Sequence, residues 1–328
     1  MVNPAKYISS NEMQKCIISI VIKEFTKNLK SISGICMDVG CGPGDITNNI
    51  LLPSLDSNSV IIGTDIQMTM IEYAKKVYSH NTRLKFEMLD IQTKNLPEKY
   101  ISKFNHIFSF FTLHWCDELR KVFENIYCML QPGGTMLIVF PIHHVIFDVL
   151  KNIAHNFRFA PYLQNLNKYI PLFYNSAVPN EDLKDLLESI GFNVQHCKLW
   201  EDFFDTNPDV FLTSCLSVCT ILDVIPPELK EEFEDEFRRE YKIKLYVLFH
   251  RVISSLWLLH TGHGNACRAA KCDAVANKLT TPNMFIGYRV SFYQQAFLRA
   301  ELFQGAELLA ARKIAPLLHQ FRQDRNKE

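Results

Sequence analysis

Nothing at the start of this chain resembles a secretory leader. The opening residues, MVNPAKYISSNEMQKC, have no basic cluster running into an apolar stretch. Long hydrophobic runs are missing as well. The longest, around Leu245 to Leu259, is interrupted by His250, Arg251 and two serines, too polar and too short to span a bilayer. There is no excess of charge of either sign, because Lys plus Arg and Asp plus Glu both number 35. That balance argues against a strongly basic nucleic-acid footprint and against a polyanionic partner. The ten cysteines are scattered and form no close disulfide framework, so reduced thiols in the cytoplasm are the expectation. No internal repeat and no low-complexity linker divides the chain.

What is present is an ordinary globular composition: 48% hydrophobic and 21% charged residues in a chain of 328, with 24 phenylalanines. Over the first 140 residues, short apolar runs alternate with helix-like stretches. Strands are predicted at Ile35–Val39, Val60–Asp65, Leu84–Asp90, Phe104–Phe111 and Thr135–Phe140. Helices are predicted over 13–30, from Asp45 to Leu52, and at Met68–His80 and Leu119–Leu130, with QPGG at 131–134 as a turn. Such alternation implies a parallel sheet covered on both faces. Beyond Pro141 the pattern turns aromatic and helical over 143–170. A helix at Asp182–Ile190 and a strand at Asn193–Phe204 follow, then a largely helical stretch over 207–258. The expected organisation is one α/β domain over 1–258, with helical cap insertions at about 143–175 and 207–258, and an atypical tail over 259–328.

The stretch MDVGCGPGDIT carries glycines at alternate positions, Gly40, Gly42 and Gly44, between a strand and a helix. Glycines so placed let backbone amides approach a ligand closely. A dinucleotide fingerprint would read G-x-G-x-x-G, and here the third glycine comes one position early. Asp38, just before the loop, suits a cationic ligand better than a pyrophosphate. S-adenosylmethionine has an ammonium, a sulfonium and no phosphate, so the methyl donor is favoured. Asp65 ends the second strand, where it can accept from ribose hydroxyls. Asp90 ends the third, where it can accept the adenine amino group. The predicted cofactor set is Asp38, Gly40, Gly42, Asp65, Ile66, Asp90 and Ile91.

Through DVGCGPG, GTDI, MLDIQ and LQPGGTMLIVF, the chain resembles the class I S-adenosylmethionine-dependent methyltransferases over about residues 10 to 204. The resemblance implies a Rossmann-like sheet of seven strands, the last one antiparallel. FFTLHWCDE at Phe110 to Glu118 and NEMQKC at Asn11 to Cys16, with the phenylalanine-rich segments, are similar to the juvenile hormone acid O-methyltransferases. That family methylates the carboxyl group of a sesquiterpenoid acid such as farnesoic acid. It grips the carboxylate with a Gln and a Trp, which match Gln14 and Trp115 here. A carboxylic acid is already ionised at neutral pH, so its methylation needs orientation and no general base. Gln14 and Trp115 would orient the anion with neutral donors. Each also has a plainer reading, Trp115 as a core aromatic and Gln14 as a helix-surface residue. His114 reads as a base for another acceptor or as local packing. The aromatic run Phe157 to Tyr174 would line an isoprenoid channel or simply pack the cap.

Two alternatives stay open: a methyltransferase of another small acid (fatty, aconitate-like or carrier-bound malonyl), and an inactive binder of the same fold. In the tail, His260, His263, Cys267 and Cys272 match no common zinc spacing, so no metal is predicted. FIGYRVSFY, Phe285 to Tyr293, is the one candidate there for a closing strand.

Overall fold

The computed structural model describes residues 3–202, 208–244 and 285–290, with residues 200–202 and 285–290 as backbone. Three helices lead in: α1 (Pro4–Ile8), α2 (Glu12–Glu24) and α3 (Thr26–Leu29). The sheet begins with β1 (Ile35–Val39), followed by a π-helical turn, Thr47–Leu51, that runs into α4 (Leu52–Ser54). Next come β2 (Val60–Asp65), α5 (Met68–Tyr78), β3 (Leu84–Met88) and β4 (Phe104–Phe110). They are followed by α6 (Leu119–Met129), β5 (Leu130–His143), α7 (Val145–Ile153), α8 (Pro179–Ile190) and β6 (Cys197–Asp202). After these lie α9 (Pro208–Val218), α10 over residues 230–244, and β7 (Phe285–Val290).

The seven strands run in the order β3-β2-β1-β4-β5-β7-β6. Strand propensity alone would not fix that order; burial does. Along β4, Phe108 and Phe110 enter one apolar layer while Ile107 enters the other. The first layer is completed by Ile17, Ile18 and Val21 of α2, the second by Val122, Phe123 and Ile126 of α6 with Leu183 and Leu187 of α8. Strands apolar on both faces need helices on both faces. Chain direction reverses about β1, so the loops after β1 and β4 part and leave a crevice at the carboxyl ends of those strands.

Four expectations are corrected. The helix predicted over 13–30 breaks at Phe25, where Thr26 Oγ1 donates to the carbonyls of Ile22 and Lys23 in the preceding turn (3.0 and 2.9 Å). Such back-bonding competes with the helix ladder. QPGG does not separate α6 from β5. It is a bulge within β5, whose pairing with β4 jumps from Phe104↔Leu130 to His106↔Thr135. Over 143–170 only α7 is a regular helix. Short 3-10 turns at Ala160–Tyr162 and Leu166–Tyr169 take the rest, with Pro161 in the first and the Asn156 side chain capping the turn before it. Finally, the closing strand β7 lies between β5 and β6 as the tail's candidate suggested, yet it is parallel to both. A tight hairpin would have reversed it; the sequence separation between β6 and β7 is long enough for the crossover that parallel strands need.

The remaining strand and helix predictions match to within a few residues, except that the strand expected at Asn193–Phe204 starts only at Cys197 and runs to Asp202, with residues 203 and 204 outside the described part. Within 207–258, α9 and α10 are separated by 3-10 turns at Thr220–Asp223 and Pro227–Leu229, and residues from 245 on lie outside the described part. Apart from β7, the predicted tail, with His260, His263, Cys267 and Cys272, also lies outside it. Among the described residues, no helix is long and apolar enough to cross a membrane.

Candidate active site

β1 delivers its chain into the crevice at Gly40. All three loop glycines take positive φ, at 73°, 54° and 81°. Gly40 and Cys41 donate their amides to Thr64 O at 2.7 and 2.9 Å, which ties the loop to β2. A Cβ on Gly40 would lie 2.0 Å from Thr112 Oγ1, and one on Gly44 2.9 Å from the Phe86 ring. Two of the three glycines therefore serve close approach to the protein itself. Only at Gly42 is the space open, with Tyr7 Cε1 the nearest atom at 3.9 Å.

The predicted carboxylates gather around this loop with differing surroundings. Asp38 is buried, and its Oδ2 accepts from Thr47 Oγ1 at 2.6 Å. Burial pushes its carboxyl up to about 7; the Thr47 bond opposes the shift and the Asp65 charge adds to it. Asp65, at the end of β2, accepts Gly42 N–H on Oδ2 (3.0 Å) and Gln67 N–H on Oδ1 (2.8 Å). Burial raises its pKa as well, against those two amide bonds. Each oxygen keeps a lone pair for a further donor. Asp90 lies two residues beyond β3, exposed, with Oδ1 accepting from Gln92 N (2.9 Å). Ile66 is exposed at 56%, free to meet a ligand, whereas Ile91 is packed into the α6 layer. A rim of acceptors whose most buried carboxyl lacks a neighbouring cation fits a positively charged ligand and repels a pyrophosphate.

The acceptor residues come from elements far apart in sequence. Gln14, on α2, is buried and donates Nε2–H to Ser214 Oγ on α9 at 3.0 Å. Trp115 closes a 3-10 turn after β4 and is half-buried, with its ring 4.7 Å from that of His114. His114 and His144 are both buried, and burial drives both imidazoles down to about 3, so both are neutral at physiological pH. The His144 ring lies 4.8 Å from Phe211, one turn before Ser214 on α9. Gln14 is thus held to Ser214 of α9, Phe211 of the same helix packs on His144, and Trp115 packs on His114. Ser214 and His144 escaped sequence reading because no local motif marks them.

The run Phe157 to Tyr174 divides. Phe159, Leu163, Tyr169 and Tyr174 are core, Phe159 edge-on to Phe233 at 5.3 Å, while Phe157 and Leu172 are exposed. An open cleft of about 420 Å³ beside Phe157 is lined by α7, α10 and residues 155–157 and includes none of the predicted site residues.

Residues 37–136 match the family model described as a methyltransferase domain. That match spans β1 to β5 and contains the loop and all three carboxylates. Residues 37–136 thus form a methyltransferase domain, S-adenosylmethionine is the cofactor, and the chain resembles the class I enzymes that use it. It resembles the juvenile hormone acid O-methyltransferases of Drosophila melanogaster and Bombyx mori. With the first it is 29% identical over 236 residues, covering 70% of this chain and 80% of the relative. With the second it is 28% identical over 241 residues, covering 72% and 85%. A malonyl-[acyl-carrier protein] O-methyltransferase of Ilyobacter polytropus is 27% identical over 159 residues, covering 48% of this methyltransferase and 56% of its own length.

Proposed function

We propose that this methyltransferase esterifies the carboxyl group of a lipophilic acid, of the farnesoic acid or juvenile hormone acid kind. One observation carries the reading. Gln14, Ser214, His114 and His144, the residues expected around the acceptor and those packed with them, are buried polar groups that carry no charge. An imidazole held near 3 is a poor base at neutral pH, so the arrangement suits an acceptor that arrives already ionised. The similarity to the two insect enzymes, over most of their length, supports the same acceptor class.

The cofactor, when bound, supplies an electrophilic methyl group on a sulfonium. The loop around Gly42, with Asp65 and Ile66, would hold its nucleoside, and Asp38 would lie near its positive end. Gln14 keeps one Nε2 hydrogen free beside the Ser214 bond and would donate it to one carboxylate oxygen; Trp115 would donate from its indole. Neutral donors orient the anion without neutralising it, so the second oxygen stays nucleophilic. That oxygen would take the methyl group while the sulfur kept the bonding pair, so no residue would need to move a proton.

The test is incubation with labelled S-adenosylmethionine and a panel of acceptors. Farnesoic acid should yield a labelled methyl ester that mild base hydrolyses. Labelling of hydroxyl or amine acceptors in its place would refute the assignment, and preference for a carrier-bound malonyl group would move it to the second family of relatives.

A further inference from the structure

Two buried side-chain oxygens beside the glycine loop have no hydrogen-bond partner among the described residues: Asn11 Oδ1 and Asp45 Oδ1. Asn11 and Asp45 are 0% and 3% exposed. Leaving such an atom buried and unpaired costs about 1–3 kcal/mol, so two side by side imply donors that arrive with a ligand. Asp45 opens the helical segment after the glycine loop. Its Oδ2 is engaged, by Asn11 Nδ2 at 3.0 Å and Lys15 Nζ at 3.5 Å, and its Oδ1 is not. Tyr7 locates the free oxygen. Its ring borders the open space at Gly42, Asn11 hydrogen-bonds its hydroxyl, and the charges of Asp45 and Asp65 push its pKa up after burial. Asp45 and Asn11 therefore meet beside the loop whose Gly42 is held by Asp65.

We propose that Asp45 Oδ1, helped by Asn11 Oδ1, receives the α-ammonium of the methyl donor. Both free atoms are acceptors, and an ammonium brings donors alone. Lys15 stands on the Oδ2 side of Asp45, which leaves Oδ1 to a second cation. Because Asn11 and Lys15 flank Gln14 on α2, the same carboxylate also ties the acceptor-gripping helix to the cofactor loop. Asp45 is in this way both a cofactor ligand and a positioning residue for Gln14.

The inference rests on the cofactor reading, and the experiment separates the two. Calorimetry would compare S-adenosylhomocysteine with its analogue lacking the α-amino group. The wild type should prefer the amino form by about 50-fold, the scale of a charge-assisted hydrogen bond. Asp45→Asn, of the same shape but uncharged, should cut that preference to about threefold while binding the deaminated analogue as before. Asn11→Ala, which removes the helper oxygen, should reduce the preference several-fold and serves if Asp45→Asn fails to fold. A wild-type preference near one, or a Asp45→Asn variant that weakens both ligands equally, overturns the assignment. Failure of the wild type to bind either ligand would instead refute the cofactor reading.

Discussion

The two halves of the site are built by different means. The cofactor half is made by the backbone: three glycines at positive φ, and aspartates placed by the ends of β1, β2 and β3. The acceptor half is made by side chains from distant elements, with Gln14 of α2 reaching Ser214 of α9 across 200 residues. Backbone-made sites demand particular residue types at short spacings, whereas side-chain-made sites demand only that a cap fold correctly. The contrast implies that the first half fails all at once and the second by degrees.

The largest effect should separate two glycines of similar φ. Gly40 (+73°) has Thr112 in the way of a Cβ, while Gly133 (+78°) has open space around it. Gly40→Ala should destabilise the protein by about 3 kcal/mol or more, from strain plus overpacking, and Gly133→Ala by about 1 kcal/mol. Urea unfolding of both variants measures the difference; equal losses would mean that backbone strain alone governs the loop.

A second pair sets the halves against each other. Asp65→Ala leaves Gly42 N–H without its acceptor and should weaken S-adenosylmethionine binding about 100-fold, on the scale of a lost charge-assisted bond. Trp115→Ala should lower kcat about 10- to 100-fold with cofactor affinity intact, the scale of lost orientation. Calorimetry and single-turnover kinetics read the two. Loss of cofactor binding in the Trp115 variant would return that residue to a packing role.

The smallest effect is on pH. The folded-state pKa of Asp38, about 7, stands above its ordinary value near 4. In the free protein the protonated form is the favoured one, so its contribution to stability is full below pH 4 and is lost as pH rises through 7. A cationic ligand prefers the carboxylate, so below pH 7 its binding must expel a proton. S-adenosylmethionine affinity should therefore fall up to about tenfold per pH unit on acidification from 7. Calorimetry at several pH values should show that slope in the wild type and a flat profile in Asp38→Asn.

The same contrast explains what the sequence made legible. β1, β2 and the glycine loop follow from local pattern, since each buried strand ends at a residue type the crevice needs. Asp45 lies in the stretch MDVGCGPGDIT but reads there as a helix start, and Asn11 lies in the motif that points to Gln14. Their pairing is a tertiary fact with no spacing rule behind it. In 143–170 the aromatic, helical pattern suggests a continuous helix, yet the local bonding of Asn156 and the missing amide of Pro161 favour turns. The direction of β7 was beyond local reasoning, because it depends on the route taken by the preceding connection.

The bond from Gln14 to Ser214 has a consequence for shortened forms of the chain. A product of proteolysis or alternative splicing that stops before Pro208 would retain every residue of the nucleoside cradle while losing the partner of the acceptor grip. If it folds, such a fragment would sequester methyl donor without consuming it, acting as a competitor of the intact enzyme.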